Sequence, residues 1–232
     1  MRIYSPIRPH VRQSAHSTFV QRPNFLEEAT AYLGGIAPYD YWDFTQNRVL
    51  YASRDLGIIP DTPGWSVTGG QLVMGSTGLT VTNQLITCTA NISGDYTVWA
   101  EIYRGTDTGA AEFYFQPYFD ASNRVNILIG AADLAGVITR TAGATAANPS
   151  AVAAPAGATY KIAGRIKTND FNTAVNTSLG TQDVSGALPT APATFQFGSN
   201  NGASFAGSGN LIRRVAVFNS ALTDTQLQTI TT

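Results

Sequence analysis

Apolar and polar residues alternate along most of this chain with the two-residue period of β-strands. The clearest segment covers residues 95–103, whose even-numbered residues are all apolar or aromatic and share one face. Gly, Pro, Asn and Asp residues separate such segments, as turns require. From residue 39 onward the pattern predicts about a dozen strands in one continuous domain, residues 39–232. Such a chain must pack as two antiparallel sheets or close as a barrel.

The end of the chain departs from this pattern. An apolar strand is predicted over residues 211–218, and its inward-facing positions change parity, which predicts a β-bulge near Arg213-Arg214. Thr223 and Gln226 have the spacing of a capping box and predict a short C-terminal helix. The apolar stripe of that helix comprises Leu222, Leu227 and Ile230.

Residues 1–38 are predicted to form an extended arm outside the β domain. Residues 1–26 contain four arginines, both histidines and no acid, and three prolines interrupt them. Proline favours extended backbone, so this stretch either stays a flexible tail or becomes ordered on a partner protein. We expect the second, because apolar residues are frequent. The predicted anchoring residues are Arg2, Tyr4, Arg8, Arg12, Phe19 and Arg22.

The arm is predicted to end with a short helix. Asn24 is a favourable N-cap, Glu27 stands at the third helical position, and Gly34-Gly35 ends the run. We therefore expect a helix near residues 25–33.

Composition and charge exclude several classes of function. The net charge of −1 gives no field that would attract nucleic acid, and charged residues are only 12% of the chain. No run of 18 apolar residues occurs, so membrane insertion is not expected. The N-terminus lacks the apolar core of a signal peptide. Cys88 stands alone, which excludes an intrachain disulfide and predicts a buried thiol.

The acidic residues do not form a recognisable catalytic motif. A retaining glycosidase needs two carboxylates about 5 Å apart, and the candidates Glu101, Glu112, Asp40 and Asp43 show no such cluster. We interpret them as solvent-facing strand acids, with a carboxylate pair formed across strands as the alternative. His10 and His16 both lie in the arm, which disfavours Ser-His-Asp catalysis. We expect no enzyme activity.

No metal or cofactor is predicted. The sequence has no HxxxH, CxxC or EF-hand spacing. Asp120 with Asn123, and Asn169 with Asp170, are interpreted as turn residues, and a calcium site is the alternative.

Four aromatic residues on two predicted strands are candidates for carbohydrate contact. Aromatic rings can stack on sugar rings, but in a sandwich they also fill the layers between and beside the sheets. Both interpretations stay open. The candidates are Trp99, Tyr103, Tyr114 and Tyr118.

The β domain resembles the laminin-G-like, concanavalin A-like lectin/glucanase superfamily, in the form common in bacteriophage structural proteins. The resemblance covers residues 39–232, and the strand–helix ending at residues 212–227 is its most specific part. The other three matching stretches are residues 40–44 with 64–66, residues 96–101, and residues 160–165 with 171–176. Residues 176–180 depart from the family because an immediate glycine turn is missing there.

This resemblance implies an all-β, two-sheet antiparallel jelly-roll sandwich with a short C-terminal helix and an extended N-terminal arm. The superfamily contains sugar binders, protein binders and glycoside hydrolases, so the fold does not settle the function. The main prediction is a non-enzymatic virion structural protein, located in the virion, whose residues 1–26 dock on a capsid or tail protein. Its outer domain would decorate the particle or bind a host glycan.

Two alternatives from other classes stay open. One is a free carbohydrate-binding or glycoside-active protein, and the other is a capsid cement without a ligand. The oligomeric state is also left open, because phage adhesins are often homo-oligomers but no coiled-coil heptad is present.

Overall fold

The computed structural model describes residues 24–68, 74–80, 85–149, 152–200, 203–204 and 210–232. Its strands form two antiparallel sheets, A and B, which pack face to face, and a small separate hairpin. This confirms the predicted two-sheet jelly-roll sandwich and its short C-terminal helix. The predicted anchoring residues Arg2, Tyr4, Arg8, Arg12, Phe19 and Arg22 lie outside the described residues.

Sheet A has the strand order β16-β15-β14-β8-β20-β1-β2-β3, and β6 pairs with both β20 and β5. Its strands are β1 Asp40–Asp43, β2 Arg48–Tyr51, β3 Arg54–Ile58, β5 Met74–Gly75, β6 Gly78–Thr80, β8 Tyr96–Arg104, β14 Ala158–Ile166, β15 Asn172–Val175, β16 Ser178–Leu179 and β20 Leu211–Phe218. A 3₁₀ turn, Ile59–Asp61, follows β3.

Sheet B has the order β12-β11-β10-β9-β17-β7-β4, with β13 paired to β11. Its strands are β4 Ser66–Thr68, β7 Leu85–Thr89, β9 Glu112–Asp120, β10 Asn123–Ile129, β11 Leu134–Thr141, β12 Ala144–Ala147, β13 Val152–Ala153 and β17 Thr194–Phe197. The separate hairpin consists of β18 Ser199–Asn200 and β19 Ala203–Ser204.

The layer between the sheets is the main hydrophobic core. Because side chains alternate between the two faces of a strand, every second residue points into this layer, and most of these residues are apolar. A cluster of aromatic side chains fills the centre of the layer. The rings of Phe195 and Phe197 each lie 5.4 Å from that of Trp42 in edge-to-face contact. Cys88 is a free, fully buried thiol in this core, as predicted.

The two helices cover the outer face of sheet A. Helix α1, Phe25–Tyr32, begins after the predicted N-cap Asn24, and helix α2, Asp224–Ile230, begins with the predicted capping box of Thr223 and Gln226. Asn24 and Glu27 also form a capping box. Their apolar side chains form a second core with Trp99 and the small residues of the central strands. Residues 25–33, predicted as part of an extended arm, are therefore packed against the sandwich.

The final strand contains the predicted β-bulge. Along the β20–β8 pairing, Ile212 lies opposite Ile102 and Arg214 lies opposite Glu101, so Arg213 is the extra residue. The bulge turns Arg214 toward the outer face of sheet A, where it reaches two carboxylates.

Candidate functional site

The outer face of sheet B carries the candidate site, and strand alternation places its side chains there. In β10 the odd-numbered residues of 125–129 enter the inter-sheet core. Arg124, Asn126 and Leu128 consequently lie on the outer face, and in β11 the even-numbered residues do the same.

A cleft of about 350 Å³ opens on this face. Its polar lining consists of Arg124, Asn126, Arg140 and Asn200, and Phe113, Leu128 and Ile138 line it with apolar surface. A second cleft of about 230 Å³ shares Leu128, Gly130 and Ile138 with the first and continues over apolar residues such as Leu134. The two clefts therefore form one trough with a polar end and an apolar end.

Two arginines face each other at the polar end. Arg124 in β10 is the direct cross-strand partner of Arg140 in β11. Arg124 is only 5% exposed, and its Nε and Nη1 atoms have no hydrogen-bond partner within the described structure. Burial and the neighbouring charge of Arg140 lower the pKa of Arg124 from its usual range. Asp120 acts on Arg124 in the opposite direction, but the net shift of the pKa is downward.

Other buried polar groups on this face also lack partners. The Asn126 side chain is 2% exposed and its Oδ1 accepts no hydrogen bond from any described group. Gln116 in β9 is fully buried, and neither its Nε2 nor its Oε1 is paired within the described part of the chain. Buried polar groups are nearly always hydrogen-bonded in folded proteins, so water, an ion or a ligand is expected to complete the hydrogen bonds of these groups.

The four aromatic residues predicted to contact carbohydrate do not form one surface. Trp99 is fully buried beneath the helices on sheet A, and Tyr103 lies on that same outer side beneath the guanidinium of Arg213. Tyr114 is buried in the inter-sheet core, where its hydroxyl donates to Glu112. Trp99 and Tyr114 therefore offer no ring face to a ligand, and packing explains both.

Tyr118 is the exception among these aromatics. It is partly exposed and lies directly opposite Arg124 in the β9–β10 pairing, so it shares the outer face with the cleft. Of the four predicted residues, it alone lies beside the site that the structure reveals.

The expectation of solvent-facing strand acids is wrong for all four candidate carboxylates. Asp40 and Glu112 are fully buried, Asp43 is 2% exposed and Glu101 is 5% exposed. Arg104 pairs with Glu112 at 3.0 Å, between the sheets. Arginine partners neutralise three of these acids, Asp43, Glu101 and Glu112, whereas Asp40 accepts hydrogen bonds from Ala52 and Asn91.

Asp43 and Glu101 share one arginine on the outer face of sheet A. Arg214 donates to Asp43 Oδ2 at 2.9 Å and to Glu101 Oε2 at 2.7 Å, and Tyr32 also donates to Glu101. Burial, followed by the bond to Glu101, raises the pKa of Tyr32 to about 12. The two acids lie on strands that flank β20, about 9.5 Å apart at the backbone. Their arrangement is thus an ion-paired network centred on Arg214.

The described residues contain no group of three or more His, Cys, Asp or Glu side chains that could share a metal ion. Asp120 Oδ1 accepts the backbone N–H groups of Ser122 and Asn123, so it forms the predicted turn. Neither described helix is long and apolar enough to cross a membrane.

The sequence contains one signal for this site that the strand pattern alone does not reveal. Arg124 and Arg140 are equally distant from Ala132, at the centre of the turn that joins β10 to β11. A hairpin with this centre places the two arginines directly opposite each other.

No protein-family model and no curated protein matches this sequence. Solved structures do superpose on it. Domain 4 of AbnA, a GH43 extracellular arabinanase from Geobacillus stearothermophilus, in complex with arabinotriose, has a TM-score of 0.61 at 16% identity, over 84% of this chain and 98% of that one. The CBM40 of a Ruminococcus gnavus sialidase bound to α2,3-sialyllactose has a TM-score of 0.50 at 14% identity, over 61% and 84%. Trypanosoma rangeli sialidase has a TM-score of 0.55 at 9% identity, and 32% of that chain is covered.

These comparisons support the two-sheet sandwich fold, which the named structures share with this chain. They also correct the main functional prediction. The structures named above come from an arabinanase and from sialidases and not from virions, so the prediction of a virion structural protein is wrong. Virion partners for residues 1–26 have no support in these comparisons.

Proposed function

We propose that this protein is a carbohydrate-binding domain that holds a glycan in the trough on the outer face of sheet B. The observation that carries the proposal is the set of buried, unpaired hydrogen-bonding groups of Arg124 and Asn126 at an open cleft. An unpaired buried polar group costs about 1–3 kcal/mol. Ligand hydroxyl or carboxyl oxygens would remove that cost once a small side-chain movement opens the arginine N–H groups, which are closed to water in this structure, to the cleft.

The shape and apolar lining of the trough also suit a sugar. Ligand sites combine apolar walls with a few fixed polar groups, and here Phe113, Leu128 and Ile138 provide the walls. The relatives in fold hold arabinotriose and sialyllactose. A shared fold does not by itself imply a shared function, and the side chains of the trough are what support binding here.

The proposed activity is binding without cleavage. Glycoside hydrolysis requires a pair of carboxylates at the glycosidic bond. None of the described residues that line either cleft is Asp or Glu. Glu101 and Glu112, the acids that sequence reasoning considered for catalysis, are engaged by arginines on other layers of the sandwich.

A glycan array probed with the full chain tests this proposal. It should include arabinan, xylan, pectic and sialylated oligosaccharides. We expect binding to at least one of these glycans and a large loss in Asn126→Ala. Arg54→Ala serves as the matched control, because Arg54 is exposed on the edge of the other sheet.

Three results would contradict the proposal. They are an array without signal, equal binding by Asn126→Ala and wild type when both are folded, and equal loss in the Arg54→Ala control. New reducing ends released from a bound polysaccharide would show instead that the domain is a hydrolase.

A further inference from the structure

We propose that the glycan carries an anionic group, a carboxylate or a sulfate, which lies between Arg124 and Arg140. This inference rests on the proposed function and specifies the class of sugar. It starts from the register of the hairpin, in which the two arginines are direct cross-strand partners. Side chains at such positions begin about 5 Å apart at their Cβ atoms, and like charges placed there destabilise a sheet.

No described acid neutralises this pair. The ion pairs of the described structure involve other arginines, namely Arg48, Arg104, Arg165, Arg213 and Arg214. The single described hydrogen bond of Arg140 goes to the backbone oxygen of Gly143, at 3.4 Å. Asp120 acts on Arg124 only through its field, because its Oδ1 accepts the N–H groups of its own turn.

Burial makes an anionic ligand more favourable here than at an exposed arginine. The Nε and Nη1 atoms of Arg124 are out of contact with water and unpaired within the described structure. An arginine presents its N–H groups in a planar fork that matches a carboxylate or a sulfate. Charge-assisted hydrogen bonds are about twice as strong as neutral ones, and a low dielectric strengthens them further.

The rest of the trough places a neutral part of the ligand beside the charged part. Leu128 and Ile138 line both clefts, and Leu134 extends the apolar surface away from the arginines. A ligand with its anion at Arg124 therefore lays its next unit on an apolar surface. The fitting ligand is an acidic oligosaccharide of at least two units.

A nucleic acid is the weaker candidate for the anion. Nucleic-acid binding depends on many phosphate contacts, and this face offers one arginine pair on a chain of net charge −1. The aromatic residues that stack on bases are also scarce here, since Phe113 is the aromatic residue of the described cleft lining.

Calorimetry with matched acidic and neutral oligosaccharides tests the inference. Three pairs serve as probes: trigalacturonate and its methyl ester, 3′-sialyllactose and lactose, and a carrageenan tetrasaccharide and its desulfated form. The first two pairs test a carboxylate and the third tests a sulfate. We expect the acidic member of at least one pair to bind about tenfold tighter or more. That advantage should shrink with added salt.

Arg140→Gln is the decisive variant, because Arg140 is only partly buried and the variant is expected to fold. It should reduce the acid-to-neutral ratio to near one. Arg54→Gln is the control and should keep the full ratio. An Arg140→Gln variant that keeps the ratio would overturn the inference.

The outcomes also separate this inference from the proposed function. Equal affinity for both members of every pair would overturn the anionic class and leave glycan binding intact. No affinity for any glycan would overturn both. Tighter binding of an oligonucleotide, or of inorganic sulfate, than of any acidic sugar would reject an acidic glycan as the ligand.

Discussion

Arg104 and Glu112 form an ion pair in the layer between the two sheets, where the Nε and Oε2 atoms lie 3.0 Å apart and both side chains are fully buried. Arg104 also donates to Asp133 and Asp107 and to the backbone oxygen of Ala154. Glu112 has fewer charged partners than Arg104. Among the described residues, Arg104 is the one cation that forms an ion pair with it. Removal of Arg104 and removal of Glu112 are therefore expected to reduce the stability of the fold by different amounts.

We expect Arg104→Met to destabilise the fold more than Glu112→Gln does. The first change leaves a buried carboxylate without a counter-charge, which costs about 3–5 kcal/mol. The second leaves Arg104 with Asp133 and Asp107, so we expect a loss of roughly 2 kcal/mol. Urea unfolding of both variants measures the order. A larger loss in Glu112→Gln would show that the arginine is the poorly compensated member.

Gly164 allows the two sheets to approach each other closely. It lies in β14 opposite Val98, and a Cβ built on it would lie 2.5 Å from Cγ2 of Val137 in the other sheet. Gly164→Ala should therefore cost about 1–3 kcal/mol through overpacking. Thermal or urea unfolding provides the measurement.

The double variant Gly164→Ala with Val137→Ala tests the cause of that loss. Because Val137→Ala removes the two γ carbons that lie 2.5 and 2.8 Å from the added Cβ and leaves only its own Cβ, at 2.7 Å, it relieves part of the overlap. The double variant should therefore be more stable than the sum of the single effects predicts, by more than about 0.5 kcal/mol. Gly75→Ala, in an exposed edge strand, is the control and should change little. Additive effects would locate the strain elsewhere.

Asp40 should make the protein less stable at neutral pH than at mildly acidic pH. Burial raises the pKa of this carboxyl from 3.8 to about 6, although Ala52 and Asn91 donate hydrogen bonds to it. Between those pH values the folded state binds the extra proton, so stability falls as the pH rises through this window. The loss from pH 4.5 to 7.5 amounts to about 2 kcal/mol.

Asp40→Asn isolates this contribution. The stability gained by the variant over wild type should be larger at pH 7.5 than at pH 4.5, as measured by urea unfolding at both values. Asp95→Asn removes the same charge at an exposed position and serves as the control. A gain for Asp40→Asn that does not depend on pH would contradict the assignment.

Gln116 and Gln196 are cross-strand partners on the outer face of sheet B, and both are buried. They differ in one respect: Gln196 accepts the hydroxyl of Ser199 at 2.9 Å, whereas Gln116 is unpaired within the described structure. Gln116→Met should therefore stabilise the fold by about 1–2 kcal/mol, and Gln196→Met should destabilise it. Equal effects of the two substitutions in unfolding experiments would refute this distinction.

The sequence predicted the elements that depend on local patterns. Alternation in β8, the capping box of Thr223 and Gln226, and the bulge at Arg213 all follow from neighbouring residues. The candidate site depends on pairing between strands, which one strand does not reveal. An arginine at an outward-facing strand position, such as Arg124, is common. Only the register of the hairpin shows that Arg140 lies opposite it.

The buried acids show the same limit. Glu101 is held by Arg214, which lies 113 residues further along the chain, so nothing near Glu101 in sequence predicts its burial. The four predicted aromatic residues lie on different surfaces for a related reason. The alternation assigned Trp99 and Tyr103 to one face of a strand correctly, but it could not show that helices cover that face.

Helices α1 and α2 both lie on the outer face of sheet A, opposite the trough. A label or a linker is therefore better attached on this side of the molecule. Lys161 donates to the backbone oxygen of Thr232, so the last described residue lies against sheet A, on the side away from the trough. A linker or biotin fused after Thr232 would leave the arginine-bearing surface pointing into solution. Immobilising the protein on a sensor chip through that end would therefore present the trough to dissolved oligosaccharides.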